Sequence, residues 1–232
     1  LKKLKASVNL PKTAAPSPAL YDPIYKEFSL GGNTIIVLCP SKEVSGTFRS
    51  ASVAAKDFPE ADIRVIDTLS IGPALGTLVR LAVQWAKDGM DADAIIDRIM
   101  EKTKSVRIYF YVETLEYLRK GGRIGNAAAL IGGLLQVKPI LQFADGKIQP
   151  FESRRTKQKA LNRLIEIVEN ECPPCNASHL SLMETDANQT AQVLKKEFMG
   201  HFNCPEIPIY DAPVAIAVHV GPGLVASTFF VD

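Results

Sequence analysis

Between residues 34 and 104 the chain alternates short apolar runs with longer amphipathic ones. Thr34–Cys39 (TIIVLC) and Asp62–Asp67 (DIRVID) are β-branched runs that predict buried strands. Ser45–Phe58 carries Ala51, Ala54, Ala55 and Phe58 at helical spacing, with Pro59 at its end. Ile71–Asp88 places Leu75, Leu78, Val79, Ala82 and Trp85 on one side of a second helix, stopped at Gly89. Asp91 has the chemistry of a cap for a third helix, to about Lys102. Strand and helix in alternation predict a parallel α/β arrangement, with ligands at the carboxyl edge of the strands. The loop Pro40–Gly46 follows a strand and precedes a helix, so it falls at that edge. Residues 1–33 carry Pro11, Pro16, Pro18 and Pro23 and are expected to be irregular.

The pattern changes near residues 103–106, so the domains are expected at 1–104 and 105–232. The second half predicts a strand at Arg107–Val112 and a helical turn at Thr114–Lys120, with a second apolar helical segment at Ala127–Leu135. Val137–Phe143 and Lys147–Phe151 flank Asp145-Gly146, a strong hairpin signal. Helices are expected at Thr156–Glu171 and Ala187–Gly200. Strands are expected at Ser178–Met183, Pro213–Val220 and Val225–Val231, the last two joined through Gly221-Pro222-Gly223. This half reads as a mixed or antiparallel sheet covered by helices.

Composition narrows the classes. Lys+Arg 27 against Asp+Glu 25 leaves a net charge of +2, which argues against a broad nucleic-acid surface. No apolar run approaches the ~20 residues that span a bilayer, and no secretory leader is visible. With four cysteines in 232 residues the chain is not a disulfide scaffold, and a cytoplasmic location is expected.

Candidate chemistry is sparse. The three histidines are His179, His201 and His219, and neither a G-x-S-x-G elbow nor a Walker loop occurs. A hydrolase would have to pair Ser45 with His219 across the fold; Ser45 also reads as a helix N-cap, and His219 as a core histidine on an apolar strand. Cys172, Cys175, His201 and Cys204 have the composition of a zinc site, or are loop cysteines. Gly121-Gly122-Arg123-Ile124-Gly125 fits an anion-binding loop and a plain helix stop equally. Arg154-Arg155 opens a helix against its dipole, which favours a role beyond helix stability; a solvated turn is the plainer reading.

Several stretches together resemble the DegV family of bacterial fatty-acid-binding proteins. They are Thr13–Pro18 (TAAPSP), Val44–Ala51 (VSGTFRSA), Ile66–Ser70 (IDTLS) and Tyr109–Gly125 (YFYVETLEYLRKGGRIG), followed by Val137–Gly146 (VKPILQFADG), Arg155–Lys157 and His219–Gly223 (HVGPG). The resemblance implies a two-domain α/β carrier with a long-chain fatty acid between a parallel α/β N-terminal domain and a mixed α+β C-terminal domain. It implies a non-enzymatic, cofactor-free subunit. A separate ATP-dependent fatty acid kinase subunit would phosphorylate the bound carboxylate for phospholipid synthesis. On matching positions, Thr13, Ser45 and His219 would hold the carboxylate, and Arg123 and Arg155 would face the kinase. Phe110, Leu115, Leu118, Leu130, Leu134 and Ile140 are the expected tail pocket. Ala14 and Ala15 replace a pair that is commonly polar in the family, and Val218 a residue that is often Thr. The family's first strand, with its D-S motif, is expected to lie ahead of Leu1.

Overall fold

The structure, a computed structural model, describes residues 10–131 and 137–231. It divides into two compact units. One comprises Ala14–Ile71 and Leu75–Lys104; the other comprises the residues ending at Thr13, Gly72–Ala74, and the chain from Ser105 onward.

In the first unit, α1 (Asp22–Ser29) follows a short 3-10 turn at Pro18–Leu20. This corrects the expectation of an irregular first 33 residues. Pro23 sits in the first turn of α1, where its missing N–H would have had no partner anyway. The helix is anchored by Tyr25, 1% exposed, whose hydroxyl donates to Ala51 O at 3.2 Å and whose ring meets Phe58 edge-on. Strands β1 (Ile35–Cys39) and β2 (Ile63–Asp67) pair in parallel, Ile35 opposite Ile63 and Cys39 opposite Asp67. Between them lies α2 (Thr47–Ala55), whose buried Ala51 and Ala54 let the helix pack closely. Helices α3 (Gly72–Lys87) and α4 (Ala92–Lys104) complete the connection. As expected for a cap, Asp91 Oδ1 accepts from Ala94 N at 2.9 Å.

The second unit is a six-stranded sheet. Strand β3 (Val106–Tyr111) is followed by α5 (Glu116–Lys120) and a 3-10 turn at Gly125–Leu130, which replaces the first part of the helix expected at Ala127–Leu135. Strands β4 (Lys138–Ala144) and β5 (Lys147–Arg154) form the expected hairpin, with Asp145 and Gly146 both at positive φ. Next come α6 (Lys157–Glu171), capped by Thr156, the single turn α7 (Cys175–Ser178), and β6 (Ser181–Thr185). Then follow α8 (Asn188–Phe202), β7 (Ile209–Asp211), α9 (Val214–Val220) and β8 (Leu224–Phe230). The order is β5-β4-β3-β8-β6-β7, antiparallel except for the β6–β7 edge. Helices α6 and α8 cover one face, where Leu164, Val168, Leu194 and Phe198 pack on Tyr109, Ile140, Leu182 and Phe229.

The strand expected at Pro213–Val220 is a helix. An unbroken apolar run of that length has no period to separate strand from helix. Pro213 caps the start, and the two turns bury Ala217, Val218 and Val220 while leaving Val214 exposed. The strand expected from Ser178 starts at Ser181, because His179 takes a left-handed backbone at the end of α7. Among the described residues no helix is long and apolar enough to cross a membrane.

Candidate functional site

The site grows from two short helices pressed together through glycine. Helix α5 ends where Gly121 N donates to Tyr117 O at 2.8 Å, and α9 ends where Gly221 N donates to Ala217 O at 2.9 Å. A Cβ on Gly121 would lie 2.2 Å from His219 Nδ1, and one on Gly221 would lie 2.3 Å from the Tyr117 ring. Only glycine permits that approach. The sequence motif is thus a packing device, and it delivers His219, in the last turn of α9, to the end of α5.

His219 Nε2 lies 2.7 Å from Thr13 Oγ1, a contact between residues 206 apart in the chain. Its Nδ1 is buried without a hydrogen-bond partner among the described residues. Burial first, and the nearby Arg123 second, push the imidazole below its ordinary pKa, so the ring is neutral at neutral pH. A neutral ring offers one donor and one acceptor and pairs with a hydroxyl in either sense.

Around this pair lies a cleft of about 660 Å³ lined by Lys12, Thr13, Lys120, Gly121, Arg123 and His219, with Leu10, Pro11 and Val218 as apolar wall. Among the described residues three cations line it and no carboxylate does. The Arg123 guanidinium is steadied by donating to Gly121 O at 2.8 Å, and Lys120 also pairs with Glu116 at 2.5 Å. A hydroxyl, a neutral imidazole and an excess of positive charge suit an anionic head group.

The remaining candidates are each described within their own unit. Ser45 lies in the first unit, ahead of α2. Its Oγ is 2.9 Å from Thr47 Oγ1 and accepts from Thr47 N at 3.3 Å. Arg155 is exposed between β5 and α6, beside Arg154, which pairs with Glu152. Leu118 is fully buried in α5, and Leu115 and Leu130 are half-buried. Phe110 and Ile140 lie on opposite faces of the sheet. Phe110 stands opposite Leu141, whereas Ile140 stands opposite Tyr111 within the helix-covered core. Leu134 lies outside the described residues.

The zinc alternative does not fit the structure. Cys175 and Cys204 are joined in a disulfide, Cα–Cα 5.7 Å, so neither sulfur is a free thiolate. Cys172 is buried and donates to its neighbour, Pro173 O, and His201 Nδ1 faces Glu169 at 3.5 Å. Among the described residues no group of three or more His, Cys, Asp or Glu is arranged to hold a metal. For the hydrolase, Ser45 and His219 each find their hydroxyl partner inside their own unit. Among the described residues His219 Nδ1 has no hydrogen-bond partner of the kind that orients a catalytic base.

Sequence reasoning missed Lys12 and Lys120, which are ordinary surface lysines until the fold places them in the cleft. It also missed Glu113, at the exit of β3. That carboxylate takes Tyr111 OH at 2.9 Å, Lys138 Nζ at 2.5 Å and Lys157 Nζ at 3.3 Å. Burial pushes its pKa up, but Lys138, Tyr111 and Lys157 outweigh that and hold it at about 2.

The fold defines a two-unit α/β protein with a cleft lined by Lys12, Lys120 and Arg123. A family model described as "Uncharacterised protein, DegV family" matches residues 1–232, and the chain belongs to that family. A DegV domain-containing protein of Streptomyces coelicolor, SCO2569, is 37% identical over 91% of this chain and 75% of its own length. The fatty acid binding DegV family protein SAG1342 of Streptococcus agalactiae is 32% identical, with TM-score 0.89 over 100% of this chain and 82% of its own. A DegV family protein of Thermus thermophilus, described by its fatty acid binding, is 25% identical, with TM-score 0.91 over 100% and 82%.

Proposed function

We propose that this protein binds a long-chain fatty acid and presents its carboxylate to a separate ATP-dependent kinase subunit, which forms the acyl phosphate. The observation that carries this reading is the Thr13–His219 contact of 2.7 Å inside a cleft lined by Lys12, Lys120 and Arg123. Fatty acid binding by the similar proteins of S. agalactiae and T. thermophilus supports it.

The energetics agree. Burying a sixteen-carbon tail at ~0.8 kcal/mol per methylene gains on the order of 10 kcal/mol gross, before association costs. The carboxylate is the costly end, since an unpaired buried charge opposes binding. A hydroxyl, a ring nitrogen and fixed cations offset that cost and set the orientation. The kinase step is then one of alignment, the carboxylate held in line with a γ-phosphate supplied by the partner. Arg123 beside the head group and the exposed Arg155 are the groups assigned to the partner or its phosphates.

The test is direct. Protein purified without added lipid is extracted with organic solvent, and the extract is read by mass spectrometry. A stoichiometric long-chain fatty acid is expected. Protein that is lipid-free and takes up no palmitate overturns the reading. The kinase half is tested separately with a purified kinase subunit. Arg155→Ala is expected to leave palmitate affinity unchanged and to lower acyl-phosphate formation at least tenfold; full turnover by that variant removes Arg155 from the partner surface.

A further inference from the structure

Helices α6 and α8, which together cover one face of the six-stranded sheet, lie side by side and run in the same direction. Near their ends, Glu169 of α6 faces His201 of α8 at 3.5 Å. A groove of about 520 Å³ runs between them, floored by Leu161 and Leu194 and flanked by Ile165 and Val193. Amides stand at its start, Gln158 and Gln189, and carboxylates at its finish, Glu166 and Glu197. Val193 lies midway and is 57% exposed.

The charges along α6 run against its dipole. Its first turn holds Lys157 and Lys159 and no acid, and its last turn holds Glu169 and Glu171 and no base. A helix favours the reverse order. Part of the pattern has a local reason: Lys157 pairs with Glu113 at 3.3 Å, and Glu171 accepts from Tyr109 OH at 2.7 Å. Among the described residues Lys159 makes no ion pair, and the Glu166 side chain stays 58% exposed beside Arg163. Lys159, Asn162, Glu166 and Glu169 follow one another at steps of three and four, so they form one stripe along the helix. That stripe runs from positive to negative.

We propose that the α6–α8 face docks on a second copy of this chain, the two laid antiparallel about a twofold axis that crosses α6 beside Asn162 and α8 at Val193. The axis exchanges Lys159 and Glu166, so each copy's lysine meets the second copy's glutamate, and the contact is made twice. Val193 meets its own equivalent and is covered. A parallel arrangement would set like charges together, so complementarity selects one orientation. The size of the face sets the strength. Helix α6 has 15 residues, about 22 Å of length, and two adjacent helices are about 20 Å wide. Docking them hides roughly 900 Å² from both copies together, the range of weak and transient contacts. The dimer therefore forms at high concentration and parts on dilution.

Sedimentation velocity on the whole chain tests this, from about 10 μM to about 1 mM protein, where a contact of this size associates. A monomer passing to a dimer is expected, with association at least about threefold weaker at about 500 mM salt than at about 50 mM. Lys159→Glu and Glu166→Lys each set like charges together twice, and each is expected to weaken association at least about tenfold. Both changes in one chain exchange the signs and are expected to restore it, a rescue that a folding defect cannot imitate. Val193→Lys places two cations at the axis and is expected to abolish the dimer by itself. A chain that stays monomeric throughout overturns the inference. So does a dimer of full strength in Lys159→Glu and Val193→Lys, a double variant that restores nothing, or growth beyond two copies, which a closed twofold face forbids. Arg155, given above to the kinase, is left unaltered, so the dimer and the kinase reading are tested apart.

Discussion

The loops that carry Thr13 and Ser45 hold their hydroxyls by opposite means. Ser45 is held by a residue two positions away, Thr47, at the entry to α2. Thr13 is held by His219, which comes almost at the other end of the chain. A local contact forms whenever the turn forms, and it needs no further reason than helix initiation. A contact spanning 206 residues exists only if the whole second unit folds, and it consumes the only short polar side chain that the Pro11–Pro16 stretch presents. The difference separates a hydroxyl held by the neighbouring turn from one held by a distant helix.

That contrast can be broken hardest at Gly121. In Gly121→Ala the new methyl would stand 2.2 Å from His219 Nδ1. Palmitate affinity is expected to fall at least a hundredfold and stability by about 2–4 kcal/mol, read by calorimetric titration and thermal melting; unchanged binding would mean the α5–α9 contact does not place the ring. Next comes Thr13→Val, which keeps the shape and removes the hydroxyl. Affinity is expected to drop about tenfold with little change in melting temperature. Glu113→Gln probes the frame rather than the cleft. It is expected to cost about 1 kcal/mol after solvent screening, or about 2–4 °C in melting temperature. Because the folded Glu113 pKa is depressed to about 2, its contribution is present above the ordinary glutamate value and fades as pH falls toward about 2, where natural protein and variant should converge. The mildest change is Ser45→Ala, expected to weaken palmitate retention about two- to threefold without unfolding the protein. An effect as large as that of Thr13→Val would erase the distinction between the two loops.

Much of the architecture was readable because local and global signals agree. The alternation from Thr34 to Lys104, the Asp145-Gly146 hairpin and the Asp91 cap all state their structure within a few residues. The run from Pro213 to Val220 did not, since continuous apolarity carries no period, and the decisive facts are a proline before it and a glycine after it. Within the site, His219, Thr13 and Arg123 were legible through the family-like motifs that contain them. Lys12 and Lys120 were not, because nothing local marks a lysine whose partner surface is assembled from distant segments. For the tail-pocket set the sequence shows apolarity but not facing. Phe110 and Ile140 are both apolar and buried, yet the pleat of β3 and β4 sends them to different faces. The zinc set failed on pairing: spacing brought Cys175 near Cys204, and the two sulfurs bonded each other.

That last bond encloses thirty residues, Cys175 to Cys204, in one covalent ring that includes β6 and all of α8. A protease cut anywhere inside the ring leaves its two fragments tethered, so an intact band on a gel without reductant does not prove an intact chain. Material stored in air and material stored with a thiol reagent are accordingly different samples, and a melting curve or binding titration is comparable only between preparations with the same history.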